Sequence, residues 1–334
     1  MITRLAGRLV ADHPLLPKKS PAATSFVHAF QSRRIMLGHV ANVPDSYWRT
    51  YDKDLREAVS ALGDSTHHLN RDKCGEKIPL AYAKGTFGLG TLPWRAQQFY
   101  DLYVWFLKNA APNTPARDAL TFAGLMSHFT GDVSMPLHAS SNFDGEQTDQ
   151  KGVHWYFESD LVDALEFQGL EKKVLDRALS LLTPLGPTEP HAVATLRTRA
   201  REMYPESEKK NEVAALMLIL LQDSLEESNK LLKLDKENGK RSPEETMAVF
   251  EPMIVERLAI SVALTTDIWV RGWLDAGSPE QNYTWDYAHK PAFVSPTDPQ
   301  CFGYVINEKI KSKKGKPISD TKLLAKDHRS CLKL

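Results

Sequence analysis

Apolar residues along this chain recur at helical spacing, and strand-like alternation is scarce. From Thr24 to Val43 they return every three or four positions until Pro44 closes the segment. VPDSYWR then restarts a helix with Pro44 near its first turn. Trp94 to Asn109 places Phe99, Leu102, Tyr103 and Phe106 on one stripe. Another helix starts at Thr114-Pro115, where a capping hydroxyl precedes proline in the first turn, and continues through Leu120, Phe122, Ala123, Leu125, Met126 and Phe129. Further helical stretches cover roughly 155–184, 190–202, 206–234 and 242–275. The last opens on Ser242-Pro243-Glu244-Glu245, which reads as a capping box, and runs Ile254, Leu258 and Val262 down one face. Pro14, Pro17 and Pro21 make residues 1–23 read as an irregular N-terminal segment. Residues 277–334, with Pro279, Pro291, Pro296, Pro299 and Pro317, read as an irregular C-terminal tail. The expectation is an all-α chain, with one compact multi-helix domain over 24–276.

Composition narrows the function classes. Hydrophobic residues make up 42% of the 334 and charged residues 25%, an ordinary globular balance that can bury a full core. The formal net charge is zero, so no global field favours nucleic acid or anionic membrane. The basic run KSKKGK at 311–316 could touch phosphates, although such runs are commonly solvated termini. Cys74, Cys301 and Cys331 are too few for a disulfide framework and lack metal-ligand spacing. The first residues contain no apolar run of signal-peptide length, and the longest apolar run, Val213 to Leu221, is far short of the roughly 18 to 20 residues of a bilayer span. No transmembrane segment and no obligate protein partner are expected. The glycines between Lys73 and Pro93 match no phosphate-cradling pattern.

Candidate chemistry concentrates between His128 and Glu158. His128 and Asp132 are four apart near the end of one helix, Pro136 bends or ends that helix, and His138 follows. His154 and Glu158 repeat the four-residue spacing in VHWYFES. Imidazoles and carboxylates at one-turn spacing can converge on a transition metal without relying on loop flexibility. A single histidine beside an apolar face is ordinarily structural, but five candidate ligands in two ordered pairs and a hinge are harder to assign to packing. The linker Ala139 to Gly152 reads as a surface loop over this site.

These residues resemble the zinc-dependent phospholipase C superfamily, which includes the secreted fungal single-strand-specific nucleases. The likeness is carried by His128, Gly131-Asp132, Pro136-Leu137-His138, and His154 with Glu158. It extends upstream through THHLNRD and IPLAY and downstream through ERLAISVALTTDIWVRGWLDAG, covering roughly 45–276. The resemblance implies that Asp45, His67, His128 and Asp132 hold one zinc, and that His138, His154 and Glu158 hold another. Asp45 is preferred for its hydrophobic-Pro-Asp context, with Asp52 and Asp54 as rivals. Family members bind a third zinc through a processed N-terminal tryptophan, whereas this chain starts at Met1 and has its first tryptophan at Trp48. Two or three zincs per chain are therefore expected. His13, His28 and His39 are further imidazoles that could fill a gap. The family also suggests a secreted or periplasmic location, although no signal peptide is present in this chain.

The implied activity is zinc-dependent phosphodiester hydrolysis. Zinc lowers the pKa of bound water to about 7, and the resulting hydroxide would attack the phosphodiester in line. Asp45 and Asp132 would orient that water, and Arg49 is a candidate phosphate clamp. Glu158 closing the second group resembles the phospholipases, whereas Asn70, three after His67, resembles a base-contacting position of the nucleases. Phe143, Trp155 and Tyr156 could line a lipid-facing mouth or a base-stacking slot. Phospholipase C-like action on a phospholipid head group is preferred. The alternatives are a single-strand-specific endonuclease/3′-nucleotidase acting on nucleic acid or nucleotide, and a non-catalytic zinc-stabilised binding protein.

Overall fold

The computed structural model describes residues 1–41, 92–109, 117–184, 190–205, 211–239 and 241–280. These residues are mostly helical, with no strand among them. The principal helices are α1 (Ile2–Leu9), α2 (Pro21–Ala41), α3 (Leu92–Asn109), α4 (Arg117–Ser134), α5 (Val153–Trp155), α6 (Leu161–Glu166), α7 (Leu170–Leu182), α8 (Ala192–Met203), α9 (Glu212–Asn238) and α10 (Pro243–Asp275).

The axis of the fold is α10. Every residue from Ser261 to Val270 is buried, as expected of a helix that is apolar nearly all round. It packs against α1, α3, α4, α6, α7, α8 and α9. Trp269 and Trp273 meet Phe30 and Phe26 of α2 with ring centroids 4.6 and 5.1 Å apart. The buried hydroxyls of α10 bond within the bundle: Ser261 donates to the Thr130 carbonyl at 2.8 Å and Thr266 to the Val262 carbonyl at 2.8 Å. The next most enclosed element is α4, which lies against α2, α3, α9 and α10 and buries Leu120, Phe122, Ala123, Leu125, Met126 and Phe129. Its carboxyl end is therefore a fixed platform for whatever it carries.

Three sequence expectations change. Residues 1–23 are not irregular throughout. Positions 5, 6 and 9 form a helical stripe in α1, and Leu5, Ala6 and Leu9 are buried against the bundle. The prolines act only after that helix, between His13 and the start of α2. The stretch 155–184 is interrupted at Phe167–Gly169, where Gly169 adopts φ 76°. The capping box at Ser242 does not form. Its hydroxyl meets the Glu244 carboxylate at 3.2 Å rather than a helix amide, while Pro243 occupies the first turn as expected. The Thr114-Pro115 start and the 277–334 tail beyond residue 280 lie outside the described residues.

Candidate metal centre

The chain bends sharply at the end of α4. Pro136 cannot continue the helix, so α4 stops at Ser134 and a 3-10 turn, Pro136–Ala139, carries His138 back towards the bundle. The loop that follows returns at Gly152 to α5, which continues as a π-helical turn, Tyr156–Asp160. Such widened turns recur at functional sites, and this one carries Glu158, four residues after His154 of α5.

Five predicted residues form a continuous chain of contacts. His128 Nε2 lies 3.2 Å from Asp132 Oδ2. Asp132 Oδ1 lies 3.6 Å from His138 Nδ1. His138 Nε2 is 3.1 Å from His154 Nε2, which is 2.9 Å from Glu158 Oε2. His138 Nε2 and Glu158 Oε2 are 3.8 Å apart. Asp132 and His138 are buried, whereas the Glu158 side chain is half exposed, so the array runs from the bundle interior to solvent.

The donor chemistry of His154 decides what this array can hold. Its Nδ1 faces the Phe143 carbonyl at 2.9 Å, and a carbonyl only accepts, so Nδ1 carries the proton. Neutral His154 then presents an Nε2 lone pair to the Glu158 carboxylate, which also only accepts. A second proton or a cation must lie between them. Burial pulls the His154 pKa down, but the Glu158 hydrogen bond and charge, with the Phe143 carbonyl, outweigh it and raise it above the ordinary histidine value. A histidine whose far nitrogen donates to a backbone carbonyl is also the usual outer-shell arrangement of a metal ligand. His138 Nε2, His154 Nε2 and Glu158 Oε2 lie within 4.8 Å of one another and could hold a metal ion.

The loop supplies Phe143 and is itself fixed. The Asp144 carboxylate accepts from the Gly152 and His154 amides at 3.0 and 3.4 Å. Gln150 donates to the Leu232 carbonyl and Asp235 of α9 at 2.7 and 2.8 Å. Arg241 pairs with Asp235 at 3.0 Å and donates to the Gln150 and Lys151 carbonyls. Gly145 turns the loop at φ 76°, where a Cβ would lie 2.5 Å from the Gln150 carbonyl oxygen.

Other predicted residues fall elsewhere. Asp45, Arg49, His67 and Asn70, with Asp52 and Asp54, lie outside the described residues. His13 is fully buried against Asp267 and does not join the array. His28 is exposed on α2, and the His39 side chain is not among those described. Phe143 and Trp155 are 45% and 68% exposed beside His154, so they are available to a ligand, whereas Tyr156 is core and bonds Thr246. Sequence reasoning missed the Phe143 carbonyl, whose role depends on a loop conformation and not on a side chain.

No family model matches this chain, and no solved structure matches it. It is 30% identical over 117 residues to a probable serine protease of Bradyrhizobium tropiciagri; the match covers 34% of this chain and 12% of that protein. Among the described residues, no helix is long and apolar enough to cross a membrane.

Proposed function

We propose that this chain is a zinc-dependent phosphodiester hydrolase of phospholipase C type. The observation that carries this reading is the convergence of His138 Nε2, His154 Nε2 and Glu158 Oε2, with the His154 proton held on Nδ1 by the Phe143 carbonyl. Zinc at such a site supplies a Lewis acid and brings the pKa of a water down to about 7. Asp132 reaches both His128 and His138, and so joins this group to a second one for which Asp45 and His67 are the remaining candidates. The proposal extends to two or three ions per chain on the strength of the family resemblance. The half-exposed Glu158 marks the side from which a substrate enters, and the exposed Phe143 and Trp155 flank it.

A lipid substrate is favoured because those rings adjoin the histidine array at the protein surface, where the amphipathic indole of Trp155 suits a membrane–water boundary and the Phe143 ring suits its apolar side. The same rings could stack on unpaired bases, which is the single-strand nuclease reading. A non-catalytic zinc-stabilised protein is the third possibility. The bacterial relative's name concerns peptide-bond cleavage by that protein, and 12% coverage does not carry it here.

Zinc per chain should be measured by elemental analysis. Hydrolysis of phosphatidylcholine and of single-stranded DNA should be compared before and after chelation, with Glu158→Gln and Asp132→Asn alongside. Zinc-dependent cleavage of the lipid is expected, with zinc affinity in either variant falling by at least the roughly 10- to 100-fold that loss of an outer-shell partner costs. A zinc-free chain without hydrolysis overturns the reading, and stoichiometric zinc without cleavage selects the non-catalytic one.

A further inference from the structure

Arg257 of α10 is a buried cation without a committed counter-ion. It is 8% exposed. Its Nε donates to the Ser134 carbonyl at 2.7 Å and its Nη2 to Ser224 Oγ, both neutral acceptors. The carboxylates whose charges act on it, Glu227, Asp223 and Glu256, are engaged elsewhere. Glu227 pairs with Lys230 at 2.6 Å, Asp223 with Arg199 at 2.9 Å and Glu256 with Arg177 at 2.6 Å. No carboxylate among the described residues lies within ion-pair distance of Arg257. Burial pushes its pKa down from the usual value, yet a guanidinium stays protonated at neutral pH. A charge in that setting is expensive unless something pairs with it.

What Arg257 faces suggests the partner. It lines a cavity of about 270 Å³ that is shared with His128, Asp132 and Glu158. Nε caps the carboxyl end of α4 at Ser134 and Nη2 is taken by Ser224 of α9, which leaves Nη1 with no protein acceptor among the described residues. The rest of the wall is mixed: Val162, Ile254 and Leu258 with Phe157 make an apolar side, and Thr3, Ser127, Ser134 and Ser261 contribute polar residues. Planar guanidinium donors match phosphate oxygens, and the apolar side of the wall suits the apolar part of an organophosphate.

We propose that this cavity is a phosphate subsite with Arg257 as its cation. Its occupant is the phosphate of a glycerophospholipid, with the glycerol side against Ile254 and Leu258. The lipid identity rests on the hydrolase reading above, whereas phosphate binding by Arg257 does not. Bound at Arg257, the phosphate lies in the cavity that the His128–Asp132 pair and Glu158 also line.

The test uses the full chain as wild type, Arg257→Gln, Arg257→Lys and Leu258→Glu, each checked for folding by circular dichroism. Binding of inorganic phosphate, of a short-chain phosphatidylcholine below its micellar concentration and of a single-stranded oligonucleotide is measured by titration calorimetry. At least a tenfold loss of phosphate affinity is expected in Arg257→Gln at unchanged zinc content. Arg257→Lys should fall between Arg257→Gln and wild type, because it keeps the charge and loses the fork. Leu258→Glu adds a carboxylate to the wall of the same cavity and should exclude phosphate by repulsion with Arg257 unchanged, so the proposal remains testable even if Arg257 variants fail to fold. In the hydrolase assay Arg257→Gln should raise KM more than it lowers kcat. Any folded Arg257→Gln or Leu258→Glu protein that binds phosphate like wild type overturns the subsite. Tighter binding of the oligonucleotide than of the lipid overturns the lipid occupant. Arg257-dependent phosphate binding in a zinc-free, inactive chain leaves the subsite standing and removes the hydrolase. Zinc-dependent hydrolysis with phosphate affinity untouched by Arg257→Gln does the reverse.

Discussion

At the scale of single residues, Asp267 shows how this fold tolerates charge at its centre. It is fully buried, yet it accepts from His13 Nε2 at 3.2 Å, Arg197 Nε at 2.6 Å and Arg271 Nε at 3.0 Å. The Leu15 amide donates to His13 Nδ1 at 3.2 Å, so the neutral ring keeps its proton on Nε2 and can bond Asp267 without being charged. Burial alone would raise the Asp267 pKa, but Arg197, the His13 bond and Arg271 outweigh it and hold the carboxyl well below the usual range. A depressed carboxyl pKa stabilises the fold fully above the unfolded value of about 3.9 and loses that contribution as pH falls through the folded value. Asp267→Asn should therefore cost about 3 kcal/mol at pH 7, because it breaks a buried pair and leaves the buried Arg197 with Glu212 as its remaining ion-pair partner. The gap from wild type should narrow below about pH 4, as urea unfolding at pH 7, 4 and 3 would show; a constant gap would contradict the assignment. The His128–Asp132 and His154–Glu158 pairs were legible in the sequence, because one-turn spacing survives packing, whereas the Asp267 network was not read there. The isolation of Arg257 was not legible. It depends on three acids being engaged by cations from other turns and helices.

At the scale of elements, the helical spans were readable wherever a long apolar stripe ran between clear stops. α3 and α10 match their expected spans closely for that reason. What was hidden was close approach. Gly272 of α10 lies so near Tyr103 of α3 that a Cβ would meet the ring Cε1 at 2.4 Å. Tyr103 cannot yield easily, since it is fully buried and its hydroxyl donates to the Trp269 carbonyl at 2.9 Å. Helix propensity alone predicts that Gly272→Ala stabilises α10 by roughly 1 kcal/mol. Overpacking predicts the opposite sign, about 1–3 kcal/mol, and should win because the buried, hydrogen-bonded Tyr103 has no room to shift. A lowered denaturant midpoint with unchanged slope is the expected result, and a raised midpoint would mean that the two helices separate at little cost. The same weighing explains why α1 is helical although prolines follow it closely. Proline breaks the turn it sits in, and α1 ends before the first of them.

At the scale of the molecule, α10 links regions that the sequence presents separately. Asp267 lies towards one end, and Arg257, ten residues earlier, reaches the cavity beside the histidine array. The array draws its ligand atoms from separate elements, with His138 on the turn after α4 and His154 and Glu158 on α5 and the π-helical turn. An unfolded chain does not hold those atoms together, so zinc bound there as proposed would favour the folded state by mass action, by about 4 kcal/mol when free zinc exceeds its Kd a thousandfold. Chelation should accordingly lower Tm by several degrees. The loss should also be local. In the proposed zinc form the ion would tie the His138 turn to His154 and Glu158, whereas the Asp267 network is held by three partners of its own. Hydrogen exchange after chelation should therefore rise first across residues 136–160 and leave the Asp267 turn protected. Uniform loss of protection would mean that the ion supports the whole bundle, and no loss in a chain shown to carry zinc would place the metal away from His138, His154 and Glu158.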